Sequence, residues 1–241
     1  MMKCDPETGV CQLPEPDSAI GSAPAPAQHA AAVHYIGDPM CSWCWGISPA
    51  VSAVEAFCAA QGMAFTMTMG GLRAGGGDPW NTAFKNFLRN EWQHIGQTTG
   101  QPFGFSLLDA VHFDYDTEPA CRAVACVKLL QARHQLPAST TLKFFTAVQH
   151  QFYVAGQNPK EVAFYASICA DLALDFTEFA ELFASSAAHQ AVQEEFLRCR
   201  QWGVRSFPTL LLEIDGQIQL LAAGYVTQEQ LLGRLQQLIN V

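Results

Sequence analysis

Apolar residues recur with two periods along this chain, and the switches between them mark its elements. Val33-His34-Tyr35-Ile36 is short, β-branched and aromatic. It predicts a strand, ended by the turn chemistry of Gly37-Asp38-Pro39. Beyond it, Ile47, Val51, Val54, Phe57 and Cys58 recur at helical spacing. They predict one helix from about Cys41 to Ala60, with Gly62 as its C-cap. Ala64 to Met69 alternates and predicts a second strand. Gly70 to Pro79 is Gly-rich but lacks the Lys-Ser or Lys-Thr of a phosphate loop, so it reads as a linker or hinge.

From Trp80 to about Trp202 the period is helical throughout. Thr117-Glu118-Pro119 opens a helix that Pro137 stops, and Leu142, Phe145, Val148 and Phe152 form a stripe closed by Gly156. Asn158-Pro159-Lys160-Glu161 supplies an N-cap, a proline at the first helical position and an acid in the first turn. Two further stripes follow, Phe176-Phe179-Phe183 and Ala188-Val192-Phe196-Cys199-Trp202. These aromatic stripes read as core. After Gly203 the period shortens again. Pro208 to Ile214 predicts a buried strand, Asp215-Gly216 a hairpin turn and Gln217 to Leu221 its partner. Thr227 and Gln230 predict a capping box that starts a last helix through Leu231, Leu235 and Leu238.

Composition narrows the class. Of 241 residues, 49% are hydrophobic and 15% charged, which supports a sizeable core without disulfide staples. A net charge of −9 argues against nucleic acid as a partner. No run of 18 apolar residues occurs, so no membrane span is expected. Residues 1–31 carry Pro14, Pro16, Pro24 and Pro26 among Ser, Gly and Ala and read as a flexible tail rather than a secretory signal. Cys4 and Cys11 lie within it, either as an accessory disulfide or transient metal clip or as two exposed thiols. Nine cysteines, an odd number, fit the reducing cytoplasm. The seven histidines are scattered, and no metal site is expected.

The chemistry concentrates in Cys41-Ser42-Trp43-Cys44, where a strand ends and a helix begins. A helix N-terminus favours negative charge, and the thiolate is the nucleophilic form of cysteine. Cys44 is one turn further along the same face, within disulfide reach. A Cys-x-x-Cys pair can also be half of a zinc site, but a second half with matching spacing is missing. The pair therefore reads as a redox dithiol. Cys58, Cys121, Cys126, Cys169 and Cys199 fall mainly on apolar faces and read as buried, inert thiols.

Without the helical block the element order is β-α-β followed by β-β-α, the thioredoxin order split after its second strand. The expected fold class is α/β, a thioredoxin fold split by a large all-helical insertion domain. Its boundaries are 32–77 and 196–241 for the thioredoxin-like part and 78–195 for the insertion. The chain resembles the DsbA family, in the branch of cytoplasmic FrnE-like proteins and 2-hydroxychromene-2-carboxylate isomerases. The likeness rests on residues 38–46, Gly70-Gly71-Leu72-Arg73, Thr117 to Ala123, Phe152 to Gly156 and Gly203 to Leu210.

That resemblance implies that Cys41 attacks, Cys44 resolves and Pro208 is a cis-proline facing the reactive sulfur. Phe207 would offer backbone groups to an extended substrate, with Ser42 and Trp43 as further substrate contacts. Ser42-Trp43 departs from the Pro-His of the periplasmic oxidases, which weighs against a strongly oxidising pair. The implied activity is a protein-disulfide oxidoreductase, a reductase or isomerase, acting on protein or small-molecule disulfides and thiols. It needs no bound cofactor, and glutathione is a candidate co-substrate. Two rivals stand beside it. One is a kappa-type glutathione-dependent isomerase or transferase, a class that has serine in place of Cys41 and lacks the second cysteine. The other is a non-enzymatic metal- or partner-binding protein using Cys4, Cys11 and the Cys41/Cys44 pair.

Overall fold

The computed structural model describes residues 31–239, together with the backbone of two short antiparallel strands, β1 (Lys3–Cys4) and β2 (Cys11–Gln12). Cys4 and Cys11 are opposite one another in that register. Their side chains, the rest of the expected flexible tail and the accessory disulfide or metal clip lie outside the described residues.

Four strands form the main sheet: β3 (Ala31–Gly37), β4 (Ala64–Met69), β5 (Thr209–Ile214) and β6 (Gln217–Ala223), in the order β4-β3-β5-β6. β3 and β4 are parallel, while β5 is antiparallel to both β3 and β6. This is the α/β thioredoxin arrangement, with the helical segment inserted between β4 and β5. β3 is buried on both sides, as the central position requires. Val33 and Tyr35 join the main core, whereas Ile36 packs with Cys199 and Leu211 in a smaller cluster.

The helix predicted from Cys41 to Ala60 is two helices, α1 (Ser42–Gly46) and α2 (Ser48–Gln61), meeting at Ile47. The cause is Pro49, which lacks the N–H that would continue the ladder to the Trp45 carbonyl. The side-chain amide of Gln101 supplies a donor instead, 3.0 Å from that carbonyl and 2.8 Å from Ser48 Oγ. Gly62 caps α2 with φ +68°, the left-handed geometry that glycine adopts freely.

Six helices lie between β4 and β5: α3 (Thr82–Thr99), α4 (Glu118–His134), α5 (Thr140–Tyr153), α6 (Ala166–Asp171), α7 (Phe176–Phe183) and α8 (Ser186–Gln201). The helix expected to begin at Asn158-Pro159 does not start there. Asn158 accepts from the N–H groups of both Lys160 and Glu161, which closes a turn. A single 3₁₀ turn over Val162–Tyr165 then leads into the short α6. α9 (Gln228–Ile239) starts with the expected capping box: Gln230 N–H donates to Thr227 Oγ1 and Thr227 N–H to Gln230 Oε1.

The Gly-rich stretch expected to be a hinge is held at successive residues. Gly70 N–H donates to Gly37 O at 2.8 Å, Leu72 N–H to Asp38 Oδ2 at 2.7 Å and Arg73 N–H to Thr117 Oγ1 at 3.1 Å. Arg73 also pairs with Asp78. Nor does the expected boundary at 195/196 fall between elements, since α8 runs through it unbroken. One core joins Leu210 and Leu212 of the sheet, Val51 of α2 and Leu235 of α9 to Val124, Phe145 and Phe152 of the inserted helices. Among the described residues, no helix is long and apolar enough to cross a membrane.

Candidate active site

β3 ends at Gly37, and the chain turns through Asp38-Pro39-Met40 to present Cys41 as the N-cap of α1. The turn is closed by Cys41 N–H donating to Asp38 O at 3.0 Å. Cys41 is 5% exposed and Cys44, within α1, is fully buried. Sequence reasoning placed these two sulfurs on one short segment. The structure brings the second half of the expected site to the first, because the Cys41 thiol points at the Phe207 carbonyl, 3.7 Å away. The Phe207–Pro208 peptide bond is cis. Pro208 is buried just before β5, with its carbonyl accepting from Gly224 N–H, while Phe207 is half-buried.

Ser42 and Trp43 are also half-buried. The Trp43 ring packs between His94 of α3 (5.8 Å between centroids) and Tyr225 (5.9 Å). It is the aromatic ring of the Cys-x-x-Cys loop itself that remains partly accessible. Trp45, by contrast, is core, and its indole N–H donates to Pro102 O.

Beneath the dithiol lies a set of buried polar groups. The fully buried Asp38 carboxylate accepts from Met40 N–H at 2.8 Å, Leu72 N–H at 2.7 Å and the Cys121 thiol at 3.4 Å. Burial raises its pKa above the ordinary aspartate value, while hydrogen bonds from Thr117, Met40, Leu72 and Cys121 act in the other direction. Tyr115 donates its hydroxyl to the Met40 carbonyl at 2.9 Å. Burial also pushes the Cys44 thiol well up, and the adjacent Cys41 sulfur adds to this. The Asp38 backbone and the Tyr35 hydroxyl act in the other direction and favour its thiolate.

Sequence reasoning missed Tyr35, Tyr115 and Cys121 as members of this cluster. Tyr35 was legible only as a strand residue and Cys121 as an inert core thiol. The pattern carried one signal, a polar-tipped aromatic two places before the glycine that ends the strand. Of the other core thiols, burial pushes Cys58 up to about 11 and Cys126 and Cys169 up to about 12, as suits packing residues. All seven cysteines of residues 31–239 stand as free thiols.

No protein-family model matches the sequence, and no curated protein matches it. Solved structures do. A "putative protein disulfide isomerase" from Nitrosomonas europaea is 32% identical, with a TM-score of 0.74 over 87% of this chain and 98% of that one. The cytosolic disulfide reductase DsbM from Pseudomonas aeruginosa is 24% identical, with a TM-score of 0.68 over 87% of this chain and all of that one. DsbM has also been solved with GSH. A 2-hydroxychromene-2-carboxylate isomerase shares the fold at 14% identity and a TM-score of 0.56, over 87% of this chain and 94% of its own.

Proposed function

Because this chain belongs to the DsbA-like family of thioredoxin-fold oxidoreductases, we propose that it reduces or isomerises disulfides through Cys41 and Cys44. Cys41 is the attacking sulfur and Cys44 the resolving one. The observation that carries this reading is the asymmetry of the pair. Cys41 caps α1 with a trace of exposure and faces the Phe207 carbonyl, while Cys44 is sealed behind it with its thiol held protonated by burial. Only the outer sulfur is placed to meet a substrate disulfide.

The cycle balances without a bound cofactor. The Cys41 sulfur attacks one sulfur of R–S–S–R′, forming Cys41–S–S–R and releasing R′S⁻, which takes up a proton. Cys44 then attacks Cys41 Sγ, forming the internal disulfide. The leaving thiolate RS⁻ accepts the proton that Cys44 gave up. A second thiol pair must then reduce Cys41–Cys44. Glutathione is the proposed reductant, and the neighbour solved with GSH supports that choice.

An extended substrate adds along the Phe207 main chain, and Trp43 and Ser42 contact its flanks. Main-chain recognition gives broad substrate tolerance. The absence of an imidazole between the two cysteines supports reduction, and the cytosolic neighbour DsbM supports a cytoplasmic setting.

Insulin-disulfide reduction by the full chain, with glutathione as reductant, tests the reading. Cys41→Ser is expected to abolish turnover, and Cys44→Ser to accumulate mixed disulfides on Cys41. Wild-type turnover by Cys41→Ser would sink the dithiol mechanism. Trapping by Cys41→Ser instead of Cys44→Ser would reverse the roles.

A further inference from the structure

The two edges of the main sheet are finished differently. At β4 side chains close the edge: Met69 N–H donates to Glu195 Oε2 at 2.6 Å, and Lys128 Nζ donates to the Met67 carbonyl at 2.6 Å. β6 is the other edge. Its residues Gln217 to Ala223 include no charge and no proline, the usual guards of a free edge.

The hairpin fixes which of its backbone groups are free. Asp215 and Gly216 both have positive φ, 51° and 79°, and form the two-residue turn that pairs Ile214 with Gln217. Bonded and non-bonded pairs alternate along an antiparallel ladder. Gln217 and Gln219 therefore bond to β5, and the N–H and C=O groups of Ile218 and Leu220 face outward. The side chains of these two residues share one face and are 44% and 61% exposed. They border an open hollow of about 560 Å³, lined also by Trp202, Val204, Arg205 and Leu211. On the other face Leu221 lies in the main core with Leu231 and Leu235 of α9.

We propose that β6 is a homodimer interface, where β6 of a second copy pairs antiparallel about a two-fold axis at Gln219. Ile218 then bonds with Leu220 of the second copy, and Leu220 with its Ile218. Outward groups meet outward groups, and the four exposed apolar side chains form one cross-strand cluster. An axis at Ile218 would leave Leu220 opposite Gly216. An axis at Leu220 would run into the bulge, because the register slips beyond Leu220.

Charge favours the same pairing. Two chains of net charge −9 repel, so the contact needs local compensation. This register sets the acidic Asp215 opposite Ala223 of the second copy, where Arg205 lines the hollow. Gly224, next to Ala223, donates to the Pro208 carbonyl. The turn of each copy therefore stands beside the Phe207–Pro208 loop of the other. It is this self-match that favours a second copy over a client strand.

Sedimentation velocity on the full chain at tens of micromolar tests the proposal and should show a dimer. Leu220→Lys should keep the far-UV circular dichroism of the wild type, since Leu220 is exposed in the single chain. It should weaken the dimer by well over about tenfold, because two buried leucines are lost per dimer. Gln219→Cys in a Cys41→Ser background should link the copies through the introduced thiols. Opposed non-bonded residues stand about 4.5 Å apart, within disulfide reach. Gln217→Cys should not link, since it faces Leu221.

A monomeric wild type, a dimer untouched by Leu220→Lys or equal cross-linking of the two cysteine variants would overturn the proposal. So would a monomer whose binding of reduced, carboxymethylated insulin B chain is weakened by Leu220→Lys, which would give the edge to a client strand. None of these measurements depends on turnover, so the dithiol reading stands or falls separately.

Discussion

The ring of Phe207 occupies the space that a side chain on Gly70 would take: a Cβ there would lie 2.1 Å from the ring's Cζ. The same residue presents its carbonyl to Cys41. The Gly-rich segment after β4 therefore acts as a seat for the loop that faces the reactive sulfur. Gly70 is bonded to Gly37 O and Leu72 to Asp38, so the seat is tied to the turn that carries Cys41.

Gly70→Ala should displace the Phe207 ring and, with it, the carbonyl opposite Cys41. Overpacking of this kind costs about 1–3 kcal/mol. Urea unfolding should show that loss, and insulin reduction should fall in parallel. Adding Phe207→Leu should restore much of the stability. A Gly70→Ala protein with the stability and turnover of wild type would mean that the ring moves aside freely.

Asp38 should leave a signature in the pH dependence of stability. Its folded pKa is raised by burial, so above about pH 4 the unfolded chain releases this proton before the folded protein does. The folded state then binds the proton more tightly, and stability falls as pH rises through the interval up to the raised value. Asp38→Asn lacks this slope, although it loses hydrogen bonds at every pH. The difference in unfolding free energy, wild type minus Asp38→Asn, should shrink steadily from about pH 4 upward. Urea midpoints across that range measure it, and a difference independent of pH would contradict the assignment.

Cys121 is predicted to stabilise the ionised Asp38 rather than to react. Its thiol donates to Asp38 Oδ2 at 3.4 Å, and burial raises its own pKa well above the usual thiol value. Cys121→Ala should destabilise by about 1–3 kcal/mol near neutral pH, and less in acid where Asp38 is protonated. Its effect should overlap with that of Asp38→Asn, giving a coupling of at least about 0.5 kcal/mol in a double-mutant cycle. In the native wild type a bulky thiol reagent should leave Cys121 unmodified, and peptide mapping would report it.

Trp43 should matter for protein substrates more than for the fold. Its ring contacts His94 and Tyr225 yet stays partly accessible. Trp43→Ala should raise KM for insulin several-fold, from losing an aromatic contact of about 1 kcal/mol, while turnover of a small disulfide changes little. Equal loss on both substrates would place Trp43 in support of the dithiol itself.

The sequence by itself determined the parts of this protein that depend on near neighbours. Cys41 and Cys44 share one helical turn, Asp215-Gly216 makes the hairpin, and Thr227 with Gln230 caps the last helix. Each is a relation across four residues or fewer, where backbone geometry leaves little freedom. The order of the elements along the chain also followed, because the hydrophobic period switches where the elements do. Pro49 split a predicted helix, and the partner that eases the break, Gln101, lies too far along the chain for any local pattern to name it.

Tertiary packing decided the rest. The Cys41 thiol meets the Phe207 carbonyl from a distant stretch of chain, Asp38 meets Cys121 and Leu72 across three different elements, and Phe207 rests on Gly70. These groups are brought together by the burial of faces that a one-dimensional pattern marks as apolar but does not assign to one another. Within that core the few polar tips have little choice of neighbours, and their chemistry is set by what the packing leaves beside them.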